Sequence, residues 1–378
     1  MKIISRVVGI LRIWTADYEQ SKPGCNLTST RFYKLAEAVR DHGQFVQSPQ
    51  AIRQGPFHAL ALSGAIALCC CVALPSLAQE PYPSKPVKII IGFGPGSGSD
   101  LLARMFAEEL RAIFSQQFVV ENKPGASAMI AASAVKAAPA DGYTLLLASS
   151  TSHSVNPFVF KKLPYDPVAD FTPIGSIGLF PSILAVNEKV PAHTPQEFIN
   201  WAQANKGKLF YAYSSLTFRI ASESMSRLKK LDAVGVPYKS SPEAMTDVIG
   251  DRAQFLVVDL ASSQPLVKAR RLRALAVTSS KRTVLAPDLP TLEEALGLRD
   301  FDMASWAGLF GPANLPKDIA DKLSGALLKT LSRPDIIEKM LAMNIEPLPA
   351  SPADFRVFLR RQLDVWKQKV QDAGIEPE

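Results

Sequence analysis

Val87-Lys88-Ile89-Ile90-Ile91-Gly92-Phe93-Gly94-Pro95-Gly96-Ser97-Gly98-Ser99-Asp100 decides the fold class. Val87–Ile91 is a short apolar run between Pro86 and Gly92, the pattern of a buried strand. Phe93–Ser99 is a Gly/Pro/Ser loop, and Ser99-Asp100 opens a helix with Leu102, Met105, Phe106, Leu110 and Ile113 on one stripe. A small-residue loop between strand and helix suits dinucleotide binding, but the spacing does not: Ser99 follows Gly94-x-Gly96 where a third glycine belongs. No Gly-Lys-Ser/Thr tripeptide makes a Walker loop. Two readings remain: an anion loop in which Gly94, Gly96, Ser97 and Ser99 bring backbone N–H groups to a helix N-terminus, or a tight structural turn.

Outward from this unit, strands and helices keep alternating. Strands are expected at Phe118–Val120, Tyr143–Ala148, Ile183–Val186, Lys208–Tyr213, Val234–Val236, Gln254–Val258 and Ala274–Val277. Helices are expected near Met129–Ala137, after Thr194-Pro195-Gln196-Glu197, near Ile220–Leu228, and at Lys317–Leu331, Pro334–Met343 and Pro352–Ala373. A Pro-rich stretch covers residues 157–173. The alternation predicts an α/β fold with mostly parallel sheets covered by helices.

The amino-terminal part reads differently. From Gln54 to Gln79 there is no charged residue, Ala59–Ala73 is nearly all apolar, and Ser76 and Ala78 fit a cleavage site after Ala78. Residues 54–78 are therefore expected to be a signal peptide, and 1–53 an extension upstream of the true start. An uncleaved anchor is the rival, but the apolar core falls short of the roughly 20 residues that span a bilayer. All four cysteines (Cys25, Cys69, Cys70 and Cys71) lie in this part, which excludes a disulfide framework or thiolate zinc site for the rest.

Of the net charge of +7, residues 1–79 carry eight Lys and Arg against four Asp and Glu. The densest basic patch, Lys268–Arg273, reads as a solvated turn, so no nucleic-acid partner is expected. Beyond residue 79 the only histidines are His153 and His193, and no Gly-x-Ser-x-Gly elbow occurs. No metal or catalytic constellation is expected, although a hydrolase using carboxylates alone stays open.

From Tyr82 to Ile375 the chain resembles the tripartite tricarboxylate transporter substrate-binding proteins, the Bug family. The resemblance rests on ordered segments: Tyr82-Pro83-Ser84-Lys85-Pro86-Val87-Lys88, the loop Phe93–Asp100, Val120-Glu121-Asn122-Lys123-Pro124-Gly125-Ala126 and Ala140-Asp141-Gly142-Tyr143-Thr144-Leu145-Leu146. Asn156-Pro157, Leu163-Pro164-Tyr165-Asp166-Pro167, Asp170–Ile174, Val236–Lys239, Leu272–Thr278 and Trp306–Phe310 follow. It implies a two-lobed periplasmic binding protein, type II-like, with residues 80–184 plus 305–378 as lobe one and 185–304 as lobe two. The crossings would lie near Val186 and Ser305.

In the family a ligand carboxylate is held largely by backbone amides and waters in the cleft between lobes. Matching positions here are Gly94, Gly96, Ser97 and Ser99 in the first loop, Ser150, Ser152 and His153 after the third strand, and Asp259. For His153 and Asp259 a purely structural role, backbone-bonded loop residue and helix cap respectively, stands beside ligand contact. The second lobe's loop departs from the family pattern. Tyr211-Ala212-Tyr213-Ser214-Ser215-Leu216-Thr217-Phe218-Arg219-Ile220 lacks glycines and is shorter, and Arg219 aligns with a family histidine. Arg219 is expected either to meet the carboxylate directly or to face solvent. Tyr213, Ser214, Ser215 and Thr217 complete the expected site. The resemblance implies a monomeric, exported, periplasmic receptor without cofactor or catalysis. It would deliver a small organic mono-, di- or tricarboxylate to membrane transporter subunits. A sensor kinase as partner, and an α/β enzyme acting on a carboxylate or ester, are the alternatives.

Overall fold

A computed structural model describes residues 81–378; the expected signal segment and upstream extension, with the four cysteines, lie outside them. Eleven strands form two sheets among the described residues. They are β1 Val87–Ile91, β2 Phe118–Asn122, β3 Thr144–Ser149, β4 Phe171–Phe180, β5 Ser182–Asn187, β6 Leu209–Tyr213, β7 Ala233–Pro237, β8 Phe255–Asp259, β9 Leu272–Val277, β10 Ser305–Pro312 and β11 Glu346–Ala350. The first sheet runs β11-β4-β10-β3-β1-β2 and the second β7-β6-β8-β5-β9.

Both sheets are mixed: four of six strands in the first and four of five in the second run the same way, as expected, and the rest are reversed. β1 is parallel to β2 and β3, but β10 runs antiparallel to β3 and β4, and β11 to β4. In the second sheet β6 is parallel to β7 and β8, whereas β5 is antiparallel to β8 and β9. β5 and β10 are the strands on which the chain arrives in a new sheet, and β11 is reversed as an edge strand beside β4. A strand arriving from the other lobe has no crossover helix to turn it parallel. The first passage lies at Pro181, between β4 and β5. The expected boundary at 184/185 thus falls inside β5.

The helices are α1 Gly98–Phe114, α2 Met129–Lys136, α3 Asn156–Val159, α4 Pro195–Ala204, α5 Leu216–Lys229, α6 Ser241–Ile249, α7 Leu260–Lys268, α8 Leu292–Leu296, α9 Lys317–Leu331, α10 Pro334–Ala342 and α11 Pro352–Asp372. Short side chains fix several starts. Ser97, Ser215, Ser240 and Asp259 each accept a backbone N–H three residues on, and Thr194 with Glu197 forms a capping box. Ser97 rather than Ser99 caps α1, because Ser97 is the extended residue whose Oγ reaches Asp100 N at 3.3 Å.

α11 crosses between the two cores. Phe355 and Leu359 pack with Ile90, Leu146, Trp306 and Phe310 of the first sheet. Trp366 and Val370 pack with Leu184, Tyr211 and Phe255 of the second. At 1.5 Å per residue its 21 residues extend about 32 Å, enough for both. Residues from Trp366 onward therefore share the core assigned by sequence to lobe two, not lobe one.

Candidate functional site

The carboxyl ends of β1, β3, β4 and β8 and the start of β10 meet at a narrow cleft between the sheets. Its lining includes Phe93, Ser97, Gly98 and Ser99 from the first loop and Ser214, Ser215, Thr217 and Phe218 from the second-sheet side. Ser149, Thr151, Phe180, Ser241, Asp259 and Ser305 complete it. Nine of these fourteen residues carry a hydroxyl and none carries a positive charge, so an anion here meets dipoles rather than cations. The dipoles come from helix N-termini: α1 enters from one wall, α5, α6 and α7 from the other. First-turn amides have no carbonyl partner within their helix, and four helices present that end to one space.

Hydroxyls set the fine structure. Ser215 Oγ accepts from Phe218 N and lies 2.7 Å from Thr217 Oγ1. Ser214 Oγ is 3.0 Å from Ser241 Oγ, which donates to Asp259 Oδ2 at 3.4 Å. Ser149 Oγ and Thr151 Oγ1 are buried and have no protein partner. Leaving a buried hydroxyl unpaired costs about 1–3 kcal/mol, so these two are poised for a polar ligand atom.

Asp259 is the one charged lining residue. Its Oδ1 caps α7 by accepting from Ser262 N at 2.8 Å. Burial pushes its carboxyl above the ordinary range, although the Ser262 amide and Ser241 oppose this. Asp100 differs. Burial pushes it up too, but Arg104, the Gly96 N–H and Asn122 outweigh that and hold it below the ordinary range. Asp100 is a strut of the loop, not part of the lining.

The walls stand close. Gly94 N donates to Lys239 O at 3.2 Å across the cleft. A methyl on Gly98 would lie 2.6 Å from Asp259 Oδ1 and 3.1 Å from Phe180. The remaining space is about 30 Å³, room for about two waters. Anything larger enters only when the lobes part.

Of the residues expected from sequence, Ser97, Ser99, Ser214, Ser215, Thr217 and Asp259 line this cleft. The others do not. Gly94 has its N–H committed to Lys239, and Gly96 donates to Asp100 Oδ2 at 3.0 Å. Gly96 also adopts a φ of 76°, the left-handed conformation that favours glycine. Ser150 Oγ accepts from Trp306 N at 2.8 Å and ties β3 to β10. Ser152 Oγ bonds back to Ser149 O. Tyr213 packs on the second-sheet core. The residues missed were chiefly Ser149, Thr151, Phe180, Ser241 and Ser305. A turn of π-helix at Thr151–Val155 aims Thr151 at the cleft and Ser152 away from it. No sequence periodicity announces that turn.

His153 is the clearest departure from a ligand role. It is fully buried, 4.5 Å from the Phe310 ring and 4.8 Å from that of Phe171 by centroids. Its Nδ1 faces Ser152 Oγ at 3.0 Å and its Nε2 has no partner. Burial pushes its pKa down to about 3. The folded state thus holds it neutral, while the unfolded chain takes up a proton near pH 6.5. This stabilisation is complete above pH 6.5 and is lost as pH falls toward 3. Below 6.5 the unfolding free energy should fall by about 1.4 kcal/mol per pH unit. Denaturant titrations between pH 6.5 and 5 should show this slope in the wild type and its loss in His153→Phe.

Arg219 also points elsewhere. It sits on α5 and pairs with Glu378 at 3.5 Å, with a quarter of its side chain exposed. Exposed pairs contribute at most about 1 kcal/mol. Arg219→Ala is therefore expected to change ligand affinity less than about twofold, and a loss of tenfold or more in calorimetry would restore the direct contact considered from sequence.

A cleft between two mixed α/β lobes, faced by helix N-termini and hydroxyls, is the setting in which the family comparison is decisive. The model of the tripartite tricarboxylate transporter family receptors matches residues 102–375. The chain belongs to that receptor family. Among relatives, a UPF0065 protein of Bordetella bronchiseptica is 32% identical over 310 residues, covering 81% of this chain and 91% of that one. BugT of Bordetella pertussis is 28% identical over 318 residues, covering 83% and 97%. Among solved structures, R. palustris Rpa4515 with adipate has a TM-score of 0.76 at 32% identity, covering 79% of this chain and all of that one. The periplasmic binding protein BugD gives 0.75 at 28%, with the same coverage. MatC of Rhodopseudomonas palustris with bound malate gives 0.72 at 25%, covering 76% of this chain and all of that one. These receptors share the two-lobed α/β fold found here.

Proposed function

We propose that this receptor captures a small organic carboxylate in the interlobe cleft, in the periplasm, and hands it to membrane transporter subunits without chemical change. The observation that carries the reading is the convergence of four helix N-termini on a hydroxyl-lined space with no cationic side chain. Such a site favours an anion through fixed dipoles and releases it without breaking an ion pair, which suits delivery. The relatives solved with adipate and malate support a dicarboxylate in particular. Asp259, with its raised pKa, suits a ligand that also carries a hydroxyl or a second, protonated carboxyl. Binding rather than turnover is favoured because the one base beside a hydroxyl of the lining, Asp259 at 3.4 Å from Ser241 Oγ, is already engaged in capping α7. His153 is bonded to Ser152 behind the lining.

The test is a thermal-shift panel of malate, succinate, adipate, citrate and benzoate beside neutral sugars and cationic amino acids. A carboxylate at 100 times its dissociation constant should add about 2.7 kcal/mol to the unfolding free energy. A shift with neutral or cationic solutes alone would reject the reading. A turnover screen on the same panel separates receptor from enzyme.

A further inference from the structure

A second cavity, of about 430 Å³, opens on the first lobe at the far end of the strands that reach the cleft. β4 begins in it at Phe171 and ends in the cleft at Phe180, nine residues and about 30 Å away at ~3.3 Å per residue. Phe171 and Leu359 reach its floor with a few per cent of their surface, Phe310 lies wholly buried beneath them, and Val168, 42% exposed, adds accessible apolar surface. Arg356 and Arg360 stand on its wall, on the exposed side of α11. At i and i+4 they share one helix face, where like charges destabilise each other.

Neither guanidinium has an ion pair or a side-chain hydrogen bond among the described residues. The acids near the mouth are committed: Asp166 Oδ1 accepts from Val168 N and Ala169 N, and Asp170 Oδ2 pairs with Lys136. Apolar floor, two unpaired guanidiniums and a volume ordinary for small-molecule sites thus coincide. The chemistry is the reverse of the cleft, which has hydroxyls and helix ends but no cation.

We propose that this cavity is a second binding site, for an amphipathic anion. Its carboxylate or phosphate head would lie between Arg356 and Arg360, and its aromatic or short alkyl body against Val168 and the exposed parts of Phe171 and Leu359. Planar guanidiniums match both head groups with paired hydrogen bonds.

The test is calorimetric titration with 4-phenylbutyrate, octanoate and phenyl phosphate, with 4-phenylbutanol as the neutral counterpart. At least one anion is expected to bind, at least about tenfold more tightly than the alcohol. Arg356→Ala/Arg360→Ala should weaken it about tenfold or more, while Ser149→Ala in the cleft leaves it within about twofold. Both arginines are exposed, and unchanged melting of the double variant will show that it folds. The relative strength of carboxylate and phosphate probes assigns the head group. The proposal is overturned if all three anions bind more weakly than about 10 mM. It is equally overturned if the arginine double variant binds as the wild type does, or if Ser149→Ala removes the binding.

Discussion

Trp366→Ala is expected to lower the unfolding free energy by about 3–5 kcal/mol, the cost of deleting a large aromatic from a packed core. The side chain is fully buried against the second-sheet core, on a helix whose other half is buried against the first. Its Nε1 donates to Gln362 Oε1 at 3.1 Å, and Lys369 lies over its ring while donating to Asp302 O. Alanine removes the ring from a site that cannot collapse, because α11 is held at both ends. Val357→Ala, 70% exposed on the same helix, is the control and should stay within about 0.5 kcal/mol. Urea denaturation read by circular dichroism measures both. A loss below about 1 kcal/mol for Trp366→Ala would mean that α11 does not brace the two cores.

Gly98→Val is expected to weaken ligand binding by about 5- to 150-fold while leaving unfolding free energy little changed. A Cβ at this position meets Asp259 Oδ1 at 2.6 Å and Phe180 at 3.1 Å, so the walls cannot stand as close as they do. Overpacking of this kind costs about 1–3 kcal/mol. The larger clash, with Asp259, falls on the closed arrangement alone, because opening the lobes relieves it; Phe180 packs with the first-sheet core beside α1, and that tighter contact is absorbed within one lobe. The same substitution should raise the radius of gyration measured by small-angle scattering with saturating ligand. Wild-type affinity in Gly98→Val would show that the cleft holds its ligand in a more open form.

Much of the α/β alternation was legible because strong local signals coincide. Val87–Ile91 is apolar but for the exposed Lys88 and is bounded by proline and glycine, and β1 has those bounds. Thr194-Pro195-Gln196-Glu197 is a capping box before α4. β4, β10 and β11 carry no such signal. β4 contains Pro173, Gly175 and Gly178, and β11 contains two prolines, tolerated because β11 is an edge strand that pairs with β4 alone. Missing these strands hid the sheet reversal, which is set by long-range pairing. The site followed the same division. Asp259 was legible as a helix cap; Ser97 and Ser215 also cap helices, although the sequence pointed to Ser99 for α1 and assigned Ser215 no such role, and helix caps line this cleft. Ser149 and Thr151 were missed in favour of their neighbours Ser150 and Ser152, since one residue of phase in a β-to-helix turn reverses which side chain faces the ligand. Arg219 illustrates the limit of chemistry read without geometry: a guanidinium suits a carboxylate, but α5 turns it toward Glu378.

If amides and hydroxyls hold a small carboxylate in the interlobe cleft, its binding depends on Ser149. Its Oγ is buried without a partner. Ser149→Ala should therefore leave the unliganded protein as stable as the wild type, or more so, while removing a hydrogen bond to the ligand worth about 0.5–1.5 kcal/mol. Calorimetric titration of the carboxylate that gives the largest thermal shift, into both proteins, is the measurement. One cleft site per chain is expected, with an affinity about 2- to 12-fold weaker in Ser149→Ala and no loss of melting temperature before ligand is added. Equal affinities in the two proteins, or a titration in which only neutral or cationic solutes bind, would rule out this mode of carboxylate binding.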